Sequence, residues 1–227
     1  PIRGSFYVRD KIEYGAMIAN LGFRYDFFLQ DANIRRMKAE ETPTETVPID
    51  TRAKFSPRIG ISYPITDKAK VYFNYGHFYQ LPELHWMYMQ KTQTGVPQYG
   101  NYNLDYMKQI QYELGVDYAI SSNYKLTVSG FYKDYFGQLN TDVLKIGPKS
   151  FDYWANSDYG RSRGLEMELA KRRYGGYISG YVNYQYAFAF GKSSAEASNY
   201  YARFRAGEIP IQEYPLDWDV RHQITLN

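Results

Sequence analysis

Gln109-Ile110-Gln111-Tyr112-Glu113-Leu114-Gly115-Val116-Asp117-Tyr118 is the stretch that decides the fold. Ile110, Tyr112, Leu114, Val116 and Tyr118 fall on one face, and Gln109, Gln111, Glu113, Gly115 and Asp117 on the other. Side chains alternate sides along a strand, so this pattern means a strand with one apolar and one polar face. Residues 16–28 repeat it, with Ala19, Leu21, Phe23, Tyr25 and Phe27 opposing Ile18, Asn20, Gly22, Arg24 and Asp26. Residues 217–227 repeat it again. There Trp218, Val220, Ile224 and Leu226 oppose Asp217, Asp219, Arg221, Gln223 and Thr225, with His222 on the apolar side. Shorter versions lie at Arg58–Tyr63, Lys70–Phe78, Leu126–Lys133, Gly164–Ala170 and Ile178–Tyr186, and a first strand near Phe6–Ile12 does not declare its faces.

The connections sort into two kinds. Short ones at Tyr14-Gly15-Ala16, residues 64–68, Ser121-Ser122-Asn123 and Tyr174-Gly175-Gly176 carry hairpin turn chemistry. Long ones lie near 30–54, 80–106, 136–160 and 188–214. The two kinds alternate strictly, as in an up-and-down membrane barrel with short periplasmic turns and long outer loops. About nine strands result. An odd number, with a strand pattern still running at Asn227, leads to the expectation of an open meander cut from a larger barrel.

Composition agrees. The 227 residues include 26 Tyr, 13 Phe and 3 Trp, an aromatic share of 19% that suits strands and membrane-interface belts. No run approaches the ~18 apolar residues of a transmembrane helix, and a mean hydropathy of −0.58 fits a barrel or a soluble β protein equally. With no cysteine, disulfides, thiolate metal sites and cysteine nucleophiles are excluded. A net charge of +3 is too small to argue for nucleic acid. No secretory signal opens the sequence.

The same stretches resemble the TonB-dependent outer-membrane receptors. Leu21-Gly22-Phe23-Arg24-Tyr25-Asp26 looks like their "GxRYD" strand, after a Phe6–Lys11 strand similar to theirs. Phe55-Ser56-Pro57-Arg58-Ile59-Gly60 with Tyr75-Gly76-His77-Phe78-Tyr79-Gln80-Leu81-Pro82 resembles "SPRxG…YGxxFxxP". Asn103-Leu104 with Gln111-Tyr112-Glu113-Leu114-Gly115 resembles "NxxLxPE…xxYExG", although Tyr106-Met107 stands where Pro-Glu is usual. Arg163-Gly164-Leu165-Glu166 resembles "xxGxE", and Asp217–His222 resembles "DxxH". The motifs keep family order over nearly the whole chain and are most similar to the carboxypeptidase-regulatory-like and Oar-like receptors.

The resemblance implies an all-β, antiparallel transmembrane barrel of about 22 strands around a plug, of which residues 1–227 form a part. It implies a Gram-negative-type outer membrane, with outer-membrane lipid, the protein's own plug and TonB as partners. It implies energy-coupled import of a scarce small solute, glycan or peptide, with no enzyme activity and no cofactor. The plug, the energy-coupling box and the usual terminal aromatic are not in this sequence, so both ends are expected to have been lost. A passive pore, an adhesin or assembly barrel, and a soluble carbohydrate-binding β protein or hydrolase stay open as other readings.

Arg24, Asp26, Arg58, Glu113, Asp117, Glu166, Glu168, Asp219 and Arg221 are the candidate lumen residues. They either seat the plug or line a generic hydrated channel. Trp86, Tyr88 and Met89 in one long loop, and Tyr200, Tyr201, Phe204 and Arg205 in another, are candidate ligand contacts. The alternative is that such loops pack on themselves over the barrel mouth.

Other constellations carry less. His77 and His85 lack the third ligand that zinc needs. Glu166 and Glu168 lie about 7 Å apart on one strand face, without the cleft of a carboxylate pair that cleaves glycosides, and Asp217 with Asp219 reads the same way. Gly175-Gly176 is a turn and not a phosphate loop, and Arg35-Arg36-Met37-Lys38 is a solvated mixed-charge loop.

Overall fold

The computed structural model describes residues 1–30, 35–36, 45–46, 51–89, 98–146, 149–172, 177–192 and 213–227. Its long strands are β1 (Ile2–Tyr14), β2 (Met17–Leu29), β3 (Arg52–Pro64), β4 (Ala69–Gln80), β5 (Met107–Ala119), β6 (Tyr124–Ile146), β7 (Lys149–Lys171), β8 (Gly180–Gly191) and β9 (His222–Leu226). Each pairs antiparallel with its chain neighbour, so the sheet is an up-and-down meander. This sheet has eleven strands among the described residues. Two of them, Gln98–Tyr99 and Tyr214–Pro215, are two-residue segments, which leaves the nine long ones. The fold is a portion of a membrane β-barrel, as expected.

The short turns follow from their residues. Gly15 takes φ 58°, which a two-residue hairpin between Tyr14 and Met17 requires and which an L side chain resists. Thr66 Oγ1 accepts from the backbone N–H groups of Lys68 (3.2 Å) and Ala69 (3.0 Å), closing the next turn. Ser121 Oγ accepts from Asn123 N–H in the third, at 3.3 Å. The glycine turn at 174–176 lies outside the described residues.

Register fixes the faces. One row runs Asn20, Gly60, Asn74 and Glu113 across β2 to β5. Another runs Ser62, Tyr72, Gly115, Ser129, Glu166 and Gln185 across β3 to β8. These rows make the polar wall that a barrel turns to its lumen. The opposite wall carries Phe23, Phe55, Phe73, Leu114, Val116, Leu165, Met167, Ile224 and Leu226, all exposed, as a lipid-facing surface demands. In β1, Phe6 pairs with Tyr25 and Val8 with Phe23, so its even positions share the apolar wall and the unclear strand is settled by its partner.

Two expectations are corrected. The long connection placed near 136–160 is not irregular. β6 and β7 stay paired from Tyr124 opposite Lys171 out to Ile146 opposite Lys149, through irregularities near Asp158 and at Gly137 (φ 63°). Backbone pairing needs no hydrophobic alternation, so the sequence pattern ends long before the strands do.

The second correction concerns 217–227. Tyr186 pairs with His222, but Phe190 pairs with Pro215. Four residue steps along β8 are therefore matched by seven along the returning chain. An odd excess of three exchanges the two faces. Trp218 consequently meets Tyr135 edge-on at 5.7 Å, and Tyr135 shares its row with Gly160 and Gly191 on the lumen wall. Ile224 remains on the apolar wall, in register with Tyr184. Leu216 lies over Gly160 and Gly191, where an added Cβ would approach it to 3.1 and 2.8 Å.

Candidate functional site

The lumen wall holds most of the predicted charges in specific partnerships. Arg24 grips Asp26 through Nε (2.9 Å) and Nη2 (2.9 Å), and Nη2 also donates to Ser5 Oγ at 3.0 Å. The two residues are two apart on one strand, so their side chains point the same way. Arg58 instead lies over the Phe78 ring, 4.6 Å from its centroid.

Further along the wall, Asp117 lies between Lys70 and Lys125, each at 3.1 Å, and accepts from Thr127 Oγ1 at 2.8 Å. Glu113 accepts from Tyr72 Oη at 3.2 Å, and Glu166 from Gln185 Nε2 at 3.0 Å. Glu168 has no cation at ion-pair distance among the described residues. Glu113, Asp117, Glu166 and Glu168 border one open cavity of about 510 Å³, together with Asn183, whose Oδ1 is buried and unpartnered among the described residues. Glu113 and Glu166 are answered here by neutral donors, so their charges and that of Glu168 are left to face the open cavity.

Asp219 and Arg221 depart from that wall. Asp219 accepts from the Ala189 backbone N–H and from Arg221 Nε, both at 2.7 Å, so its carboxylate stands in for a strand partner inside the three-residue excess. Arg221 then lies over Phe188 and Phe190, with its guanidinium carbon 4.3 and 5.3 Å from the ring centroids. Phe188 shares the apolar wall with Tyr186 and His222. The sequence placed Arg221 in the lumen; the face exchange places it outside.

A second constellation covers the polar side near the loop end. A short helix, α1 (Leu84–Tyr88), and the chain from Gly100 to Tyr106 fold against the upper strands. Phe28, Met87, Leu104 and Tyr106 form a buried core there, with Trp86, Trp154, Tyr79, Leu81 and Leu139 packed on it. Trp86 and Trp154 have ring centroids 4.3 Å apart. Trp86 is thus a packing residue of the mouth. Of its two neighbours in the prediction, Tyr88 is exposed and Met89 half-buried. Tyr200, Tyr201, Phe204 and Arg205 lie outside the described residues.

Polar clamps hold this cover on both sides. Arg52 Nη2 (2.6 Å) and Gln30 Nε2 (3.1 Å) donate to the Tyr102 carbonyl, and Lys54 pairs with Asp105 at 2.6 Å. On the far side, Asn156 Nδ2 donates to the carbonyls of Asp105 (3.0 Å) and Gly137 (2.8 Å), while its Oδ1 accepts from Asp105 N–H at 2.7 Å. The chain from 100 to 106 therefore ties β2 and β3 to β6 and β7. Burial among this packing, with Asp26 and Asp105 nearby, pushes the Tyr106 phenol up from its usual range. Arg52, Lys54 and Asn156 were not legible in the sequence, because each holds a partner distant in the chain.

His77 Nε2 lies 2.6 Å from Tyr75 Oη, and the His85 ring meets Trp86 edge-on at 4.9 Å, so the two histidines serve separate contacts.

Residues 3–226 match the family model described as "TonB dependent receptor-like, beta-barrel". No curated protein matches the chain. Among solved structures, the siderophore receptor PirA from Pseudomonas aeruginosa matches at 18% identity and TM-score 0.58, covering 83% of this chain and 36% of that one. The ferric-catecholate import receptor Fiu from K12 E. coli matches at 17% identity and TM-score 0.59, covering 99% of this chain and 31% of that one. The FrpB iron transporter from Neisseria meningitidis matches at 14% identity and TM-score 0.57, covering 82% of this chain and 25% of that one. At these identities the likeness is one of fold. The chain spans between a quarter and just over a third of those chains.

Proposed function

The chain belongs to the TonB dependent receptor-like β-barrel family, whose members are transport receptors of the Gram-negative outer membrane, and from that premise we propose that it forms part of an energy-coupled import receptor in such a membrane. The family match over residues 3–226 carries the reading. The supporting geometry is a sheet with one apolar and one charged wall, and an ordered cover fastened across its polar side.

In this reading the apolar wall meets lipid. The acidic end of the lumen wall, with Glu113, Glu166 and Glu168 facing open space, receives the cationic surface of a plug supplied by the same protein. Asp117 is already neutralised by Lys70 and Lys125 and helps hold the wall. A scarce solute is engaged at the loop end, where exposed Tyr88 is the described side chain best placed for stacking, with Met89 beside it and Tyr200, Tyr201, Phe204 and Arg205 as further candidates. TonB acts on the plug, and no bond-making step falls to these residues. The cited neighbours carry iron or its chelates by name. A scarce metal chelate is therefore the first solute class to try.

The test is uptake by cells carrying the full-length receptor, with and without TonB. Loss of uptake without TonB is the expected result. Solute flux through liposomes that persists without any energy input would favour a passive pore instead. Recovery of the full-length protein in a detergent-free soluble fraction would defeat both readings and favour a soluble carbohydrate-binding protein.

A further inference from the structure

The apolar wall is not evenly covered. Leu114, Gly130 and Leu165 lie side by side in register across β5, β6 and β7. Gly130 contributes no side chain, and an added Cβ there would find its nearest side chain, Leu165, at 3.5 Å. The missing side chain leaves a groove of about 500 Å³ between Leu114 and Leu165, both more than half exposed. The next row toward the loops is Tyr112, Tyr132, Arg163 and Phe188. That row is an aromatic belt with one arginine set into it, and Arg163 borders the groove.

The charges around Arg163 can be followed one by one. Arg161 is held by Glu213 at 2.5 Å and Arg221 by Asp219 at 2.7 Å. Asp134 stands one row closer to the loops, opposite Arg161 in register. Arg163 is exposed and has no carboxylate at ion-pair distance among the described residues. A cation on a lipid-facing wall at belt depth is costly unless it reaches water or an anion. The anion available at that depth is a lipid phosphate.

We propose that Gly130, Leu114, Leu165 and Arg163 form a lipid site, in which one acyl chain of a phosphate-bearing lipid lies in the groove and its phosphate is held by Arg163. The groove lies directly beneath the arginine, so one molecule satisfies both. A guanidinium with free N–H groups suits a phosphate bidentately. This inference rests on the membrane reading above.

The test uses delipidated full-length receptor titrated in detergent with phosphatidylglycerol or with phosphatidylcholine of the same chains, counting retained lipid by native mass spectrometry. The wild type is expected to prefer the anionic lipid about fivefold, the worth of one basic residue near the surface. Arg163→Gln should bring the two lipids to parity, while Arg161→Gln keeps the preference. Gly130→Leu should lower retention of both several-fold, and Leu165→Trp serves as a second groove-filling variant should Gly130→Leu fail to give the heat-modifiable gel migration of a folded barrel. An unchanged preference in Arg163→Gln, unchanged retention in the filled variants, or a lipid-free homodimer sealed on this wall would each overturn the proposal. A receptor that fails to insert into vesicles at all would instead count against the membrane reading.

Discussion

β5 and the returning segment 214–226 look alike in sequence and fold differently. Both alternate apolar and polar residues. In β5 the alternation runs straight through, with Leu114 and Val116 outside and Glu113 and Asp117 inside, because each residue has one partner on either side. In 214–226 the chain carries three residues that β8 does not match, so Trp218 and Ile224 end on opposite walls. Alternation assigns faces only while the register is unbroken. An odd insertion reverses every assignment beyond it.

Asp219 holds the three-residue excess in place. Asp219 is almost fully buried and takes both the Ala189 N–H and Arg221. In the full-length receptor Asp219→Ala is expected to cost about 4 kcal/mol, since it leaves a buried donor and a cation without their acceptor. Urea unfolding followed by tryptophan fluorescence measures this, and an unshifted midpoint would mean that the segment does not depend on the carboxylate.

A charge costs more on the lipid-facing wall than on the lumen wall. Leu114→Arg puts a charge on the lipid-facing wall one row below the aromatic belt and should cost about 2 kcal/mol. Ile224→Arg, one row further from the loops on the same wall, should cost at least as much, in contrast to Trp218→Arg. On the lumen side Trp218→Arg should lose only the Tyr135 contact, about 1 kcal/mol. Equal penalties in the same unfolding assay would refute the face exchange.

The smallest effect concerns the stacked arginine. Arg221→Lys keeps the charge near Asp219 but loses the flat guanidinium over Phe188 and Phe190, and should cost about 0.5 kcal/mol. Comparing it with Arg221→Lys in a Phe188→Leu background separates ring contact from charge, because the penalty should shrink there to the part that Phe190 contributes.

The same logic explains which parts of the candidate site could be read in advance. Arg24, Asp26, Glu113, Asp117, Glu166 and Glu168 were assigned to the polar wall because each lies in an unbroken strand pattern. Trp86 was ambiguous between ligand and packing, and its partner Trp154 is too distant in the chain for periodicity to reveal. Asn156, Arg52 and Lys54 carried no signal. A side chain that holds a backbone carbonyl or a carboxylate some fifty residues away has no local constraint on its neighbours.

By itself the sequence determined the strand periods, the short hairpin turns and which wall of each regular strand is apolar. Those features depend on the two-residue repeat of a strand and on local turn chemistry, both written in neighbouring residues. The tertiary structure alone decided the length of β6 and β7, the face exchange at Asp219, the clamped cover over the mouth and the groove at Gly130. Each of these depends on register between strands far apart in the chain, and backbone pairing fixes register without leaving a mark on any single stretch.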